Sequence, residues 1–266
     1  EKNIKDCITS ARLLTNDIIV IDSQSTDKTI EIVKKEGVSF YSCPYRLYVE
    51  SAREFGIQKA KSDWVFILDA DERVTKETAR EIAETIRSQD YVKSINLIKK
   101  QFPDANQVRV PLNNIAISYY KIPRKNIFGN KWLKHGGWWP DYQIRLINKK
   151  FLKHWPKQIH STPKIEGGMG YLKNPLIHYF HGDLDTMVKK TIVFENLEAD
   201  LLFQAHRSVS TCIFFRKFLG EFYRRMFKNL GFLDGEIGII ESIYQAFSKT
   251  ITYLFLYEKK IKSGSL

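Results

Sequence analysis

Residues 63–72, reading DWVFILDADE, constrain this chain more than any other stretch. Five apolar positions run from Trp64 to Leu68 and end against three carboxylates, Asp69, Asp71 and Glu72. A continuous apolar run of this length predicts a strand buried on both faces of a parallel sheet. In open α/β sheets ligands bind beyond the carboxyl ends of the strands, where these acids would stand. Packed carboxylates repel one another, so the cluster calls for a cation. Hard oxygen ligands favour Mg²⁺ or Mn²⁺, ions that arrive with phosphate-bearing substrates. The alternative is a strand closed by an acidic turn without further purpose.

The neighbours add weight to the first reading. Asp17 precedes a β-branched run at 18–21 that ends in Asp22, a second buried parallel strand. A turn follows, and Thr26 or Asp27 caps a helix to about Lys35. Gly37 ends it, and a short strand is expected at 38–41. Helices are predicted over 3–15, 45–60 (carrying Arg53) and 75–88, the last with Thr75 as its cap. Strand and helix alternating at these spacings give a βαβ sheet with helices on its faces. Past residue 89 the helical period fades, with short strands expected near 93–98, 115–122 and 143–147. From about 185 to 261 the pattern is helical again.

Charge is unevenly distributed. The net charge is +12, and residues 91–181 alone carry 16 Lys and Arg against 3 Asp and Glu. Such a field favours an anionic partner. Nucleic acid would need a basic stripe with stacked aromatic rings, and the acidic strand ends argue against it. Cys7, Cys43 and Cys212 are too few and too scattered for a disulfide framework or a metal pattern, which fits a reducing, cytoplasmic setting. No apolar run approaches the ~18 residues of a membrane span.

Four stretches together resemble the family 2 glycosyltransferases, inverting nucleotide-sugar enzymes of GT-A fold. They are IIVIDSQSTDKT at 18–29, DWVFILDADE at 63–72, GWWPDYQIRL at 137–146 and LIHY at 176–179. They fall in the family's order and cover nearly the whole chain. Within the family they look most like the bacterial lipopolysaccharide-core β-glucosyltransferases. The resemblance implies a Rossmann-like mixed sheet over 1–181, donor-binding to about residue 90 and acceptor-binding beyond. It also implies a helical extension over 182–266.

The resemblance also implies roles. Asp22 would contact the nucleoside of a UDP-sugar, Arg53 the donor phosphates and Asp69 the donor sugar. Asp71 would be the metal ligand, completed by His178. Asp141 would be the base that takes the acceptor hydroxyl's proton during direct displacement. Trp138 and Trp139 would stack on the acceptor sugar. Adjacent indoles cannot both point inward on a regular strand, so at least one is expected to be functional or buried in a loop. Arg145 would orient that loop or bind acceptor phosphate. The chain departs from the pattern at Gln24 and Lys28, which stand where glycines are common, and at His160-Ser161, where His-Glu is common.

The acceptor implied is an anionic glycolipid, such as a lipopolysaccharide core. Capsule, teichoic-acid and polyprenyl-phosphate acceptors fit the same motifs, and loss of catalysis would leave a nucleotide- or glycan-binding protein. Residues 211–230 and 236–261 place aromatic and aliphatic residues at helical spacing with cations between them, the composition of interfacial helices. Peripheral attachment to the cytoplasmic membrane face is expected. Family members begin with a central strand, whereas Glu1 here resembles the residues just after it. The expectation is a fragment whose strands at 18–21 and 64–68 lack the neighbour between them.

Overall fold

The structure is a computed structural model, and it describes residues 1–44, 50–88, 117–156, 161–180 and 184–264. The chain forms two compact units. The first comprises Glu1–Arg124 and Tyr142–His178, the second Lys125–Asp141 and Tyr179–Leu266. The tryptophan-rich loop expected with the acceptor half of a catalytic domain therefore groups with the C-terminal helices.

In the first unit α1 (Ile4–Ala11), β1 (Ile19–Asp22), α2 (Thr29–Lys35) and β2 (Ser39–Ser42) come first. They are followed by α3 (Glu50–Lys59), β3 (Trp64–Phe66), β4 (Glu72–Arg73) and α4 (Lys76–Ser88). The expected strand near 93–98 lies outside the described residues, as does the start of the helix expected from residue 45. Next come β5 (Ile117–Phe128), β6 (Lys131–Trp132) and β7 (Asp141–Asn148). The remaining strands are β8 (Leu152–His154), β9 (Lys164–Ile165), β10 (Gly168–Tyr171) and β11 (Leu176–Tyr179).

The main sheet runs β3-β7-β5-β11-β4, and β10 also pairs with β5. β3 shows why the central run is continuously apolar. Trp64, Phe66 and Leu68 pack against the core cluster that includes Ile82 of α4, while Val65 and Ile67 pack against the cluster that includes Ile57 of α3. One helix covers each face, as expected. The expected parallel setting is corrected: β3 pairs antiparallel with β7, Val65 opposite Ile147. Alternating burial reports which faces are covered and carries nothing about the direction of the neighbouring strand.

β1 pairs in parallel with β2, in a separate two-stranded sheet. α1 and α2 cover it through Ile4, Ile8 and Val33. α3 approaches it at Gly56, where a Cβ would lie 2.9 Å from Ile21 Cγ1. β1 and β3 do not pair with each other. A cavity of about 640 Å³ opens beside them, lined by Ile8, Val20, Ile21, Val65 and Ile67 and reaching Asp69 at one end.

The second unit is built on α5 (Leu184–Gln204), α6 (Thr211–Tyr223) and α7 (Gly235–Ser263). Ser210 caps α6 by accepting the Ile213 N–H. A π-helical turn (Arg224–Lys228) and a 3₁₀ turn (Gly231–Asp234) connect α6 to α7. That connection is tight: a Cβ on Gly238 would collide with the Gly231 carbonyl oxygen. Ala199, Tyr253 and Leu256 form the core between α5 and α7. Among the described residues no helix is long and apolar enough to cross a membrane.

Candidate active site

The acidic run after β3 folds back on itself. The Glu72 N–H donates to the Asp69 carbonyl at 2.9 Å, and the Glu72 carboxylate accepts the Asp69 N–H at 3.1 Å. This reciprocal closure fixes a tight turn across residues 69–72 and starts β4. Register does the next step: β11 pairs antiparallel with β4, with His178 opposite Glu72. The last residue of the acidic run and a histidine more than a hundred positions away thus become direct partners in the sheet.

Arginines occupy the centre. Arg145 on β7 is 2% exposed and Glu72 is fully buried. The Arg145 Nη2 donates to Asp69 Oδ2 at 2.6 Å and to Glu72 Oε1 at 2.5 Å. Arg53, on α3, donates from Nη2 to both Asp69 oxygens at 3.0 and 2.8 Å, and its guanidinium lies 5.6 Å from the Trp155 ring. Arg124 reaches Glu72 Oε1 at 3.3 Å. The repulsion that called for a cation is therefore met at Asp69 and Glu72 by guanidinium groups.

Burial drives the Asp69 carboxyl upward, but Arg145 and Arg53 prevail and hold it well below the usual carboxylate range. Glu72 is displaced the other way: burial, reinforced by the nearby Asp69 charge, raises it despite Arg145 and Arg124. Burial pushes the Cys7 thiol up to about 12. Its Sγ lies 3.5 Å from the Asp69 carbonyl oxygen, as a packing group with a weak hydrogen bond.

Arg145 is thus placed differently from an arginine that meets an acceptor. It is sealed beneath the turn and clamps the two carboxylates together. Sequence gave little warning, because its partners lie 76 and 73 positions away. Arg53 does stand at the turn, hydrogen-bonded to Asp69. Asp22, at the end of β1, is buried and accepts the Ser25 N–H at 3.2 and 3.3 Å. This turn seats Gln24 at φ 60°, the left-handed region that glycine adopts without strain.

Asp71, partly exposed, and His178, buried, lie together, with Asp71 Oδ1 3.8 Å from His178 Nε2. Among the described residues no group of three His, Cys, Asp or Glu side chains is arranged to hold a metal ion. A carboxylate and an imidazole at this separation still fit an ion such as Mn²⁺ or Mg²⁺ that takes its other ligands from phosphate oxygens and water.

The second unit carries the other expected residues. Trp138 is half-buried, its ring 4.6 Å from Phe180 and 5.2 Å from the Arg225 guanidinium. Trp139 packs edge-on against Trp132 at 5.3 Å. Both indoles belong to the loop before β7 rather than to a regular strand. Asn126, fully buried, donates from Nδ2 to the Trp138 carbonyl at 3.0 Å and to Asp141 Oδ2 at 3.2 Å. The sequence reading missed this asparagine, which ties the indole loop to the aspartate.

The loop is anchored below by a second acid. Asp234 accepts the backbone N–H groups of Lys134 and His135 at 2.9 and 2.8 Å, and its other oxygen lies 2.8 Å from His135 Nδ1. Gly136 donates to the Asn229 carbonyl and accepts from Arg225. His160 lies outside the described residues.

Comparison with known proteins agrees with these motifs. An "Uncharacterized glycosyltransferase" of Rickettsia conorii is 26% identical over 97% of this chain and 86% of its own length. The glycosyltransferase SunS of Bacillus subtilis is 35% identical over 34% of this chain and 22% of its own. Among solved structures, S. aureus TarS 1–349 in complex with UDP-GlcNAc aligns with 99% of this chain and 89% of its own, at 13% identity and a TM-score of 0.46. The profile of "Glycosyl transferase family 2" matches residues 1–155, well over half of the chain, and the protein belongs to that family.

Proposed function

We propose that this glycosyltransferase moves a hexose, with inversion, from a UDP-sugar to a hydroxyl of an anionic glycolipid, with a lipopolysaccharide core as the best-fitting class. The supporting observation is the arginine-clamped turn at 69–72 beside the Asp71–His178 pair, in a chain of this family. The excess of cations over residues 91–181 favours the anionic acceptor. An acceptor of this kind puts the enzyme against the cytoplasmic face of a membrane.

In this reading Asp22 holds the nucleoside, Arg53 faces the donor phosphates and Asp69 the donor sugar, with the buried Arg145 holding Asp69 in place from beneath. Asp71 and His178 hold Mg²⁺ or Mn²⁺, whose bound charge supplies stabilisation to a departing diphosphate. Trp138 and Trp139 support the acceptor sugar. Asp141 takes the proton of the attacking hydroxyl as that oxygen bonds to the anomeric carbon. The bond from the anomeric carbon to the diphosphate oxygen breaks, and its electron pair leaves with the nucleoside diphosphate. No covalent intermediate with the protein forms.

Calorimetry tests the donor half. UDP is expected to bind more tightly than GDP, and more tightly with Mn²⁺ than without. Asp71→Ala is expected to erase the metal dependence. Equal binding of all nucleotides, or metal-independent binding by the wild type, overturns the assignment.

A further inference from the structure

Polar side chains share the buried face of α7 with Ala246, Tyr253 and Leu256. Glu241, Ser242, Ser248, Thr250 and Thr252 are buried along it, and Ser248 and Thr252 donate their hydroxyls to Glu195 of α5. Most of its outward positions are apolar, with Glu236, Glu258 and Lys262 among them: Ile240 is 57% exposed, Phe247 and Leu254 52%, and Ile261 53%. A helix surrounded by water shows the reverse pattern. The neighbouring helix repeats it. Phe215, Leu219, Tyr223 and Phe227 follow one another at four-residue steps from α6 into the π-turn, and each is more than half exposed. Four such residues make a continuous ridge along one side of a helix.

What covers this surface is indicated by the charge around it. Residues 211–230 carry five Arg and Lys against Glu221 alone, and Glu221 is bound by Arg224 and Arg225. Arg216 and Lys228 are exposed beside the ridge. A second copy docking on the same surface would bring two such cationic segments together. An anionic lipid surface meets both features, taking aromatic side chains at the acyl boundary and cations at the headgroups.

We propose that the exposed faces of α6 and α7 dock on an anionic lipid bilayer, with Phe215, Leu219, Tyr223 and Phe227 inserted and Arg216 and Lys228 on the headgroups. This deepens the glycolipid-acceptor reading by naming the surface that meets the membrane. It is read without turnover, so its failure is separable from failure of nucleotide binding in calorimetry.

The experiment is co-sedimentation of the full chain with vesicles of phosphatidylcholine, with and without phosphatidylglycerol. Binding to the anionic vesicles is expected, and Leu219→Ser with Phe227→Ser is expected to weaken it roughly tenfold or more. Arg216→Glu with Lys228→Glu is expected to abolish the preference for phosphatidylglycerol. Circular dichroism confirms that these surface variants remain folded. Binding unchanged by the serine pair overturns the proposal. So does a chain that ignores vesicles, and if that chain dimerises through the same residues in sedimentation analysis, the occupant is a second copy.

Discussion

Asp69 and Asp141 are both aspartates held at the margin of a strand, one met by guanidinium groups and the other by a buried amide. Asp69 is gripped by two guanidinium groups, one of them sealed from water. Asp141 accepts from the amide of Asn126. A charged donor fixes a carboxylate's ionisation as well as its place, whereas an amide orients it and adds no net charge. Asp69 is accordingly committed to being an anion.

That contrast can be broken experimentally. The largest effect is expected from Asp141→Asn, which keeps the Asn126 neighbourhood nearly isosteric but removes the proposed proton acceptor. Transfer is expected to fall about 10²- to 10⁴-fold with donor binding retained. Unchanged transfer in a donor–acceptor assay assigns the base elsewhere. Arg145→Met is expected to act on the fold, because removing one member of a buried ionic cluster costs about 3–5 kcal/mol. Urea denaturation reads this as a lower midpoint, and a midpoint within error of wild type would show that Arg53 and Arg124 suffice.

Asn126→Ala sharpens the other side. Loss of two buried hydrogen bonds, one to a carboxylate, is expected to cost about 1.5–3 kcal/mol. A misplaced base is also expected to lower kcat by roughly ten- to a hundredfold while the KM for donor stays the same. A change confined to KM would detach Asn126 from the base.

The smallest effect concerns pH. The folded Asp69 carboxyl ionises below its unfolded counterpart, near ~3.9. Its stabilisation is complete above that value and is lost as pH falls through the folded one. Glu72 has the opposite sign, because its raised folded pKa removes stability as pH rises past ~4.3 toward that value. Asp69→Asn is therefore expected to flatten the loss of stability between about pH 5 and pH 2, while the Glu72 contribution shrinks with the loss of the Asp69 charge and keeps the part due to burial. An unchanged acid profile in denaturation experiments would reassign the acid sensitivity.

Much of this was readable residue by residue. The run at 64–68 announced a strand covered on both faces, and the clusters that include Ile82 and Ile57 cover it. Thr75 announced a helix start, and its hydroxyl accepts the Thr78 N–H. What escaped reading depends on chain distant in sequence. An arginine among alternating strand residues looks like surface until Asp69 and Glu72 are brought to it. The direction of β7 beside β3 leaves no mark on burial. Asn126 looks like any polar strand residue until the loop that ends at Asp141 returns over it. Gln24 is a local exception: its left-handed backbone follows the turn closed by Asp22 and Ser25 rather than its own preference.

The anchoring of the indole loop has a mechanical consequence. Lys134, His135 and Gly136 are fastened by five hydrogen bonds to Arg225, Asn229 and Asp234, residues of the short connection between α6 and α7. Glycines pack that connection against the first turns of α7 with no space for a methyl group. A loop carrying two large rings would ordinarily have its own slow flexing. Here its stiffness is that of the helical hairpin, and displacement of the connection carries Trp138 with it.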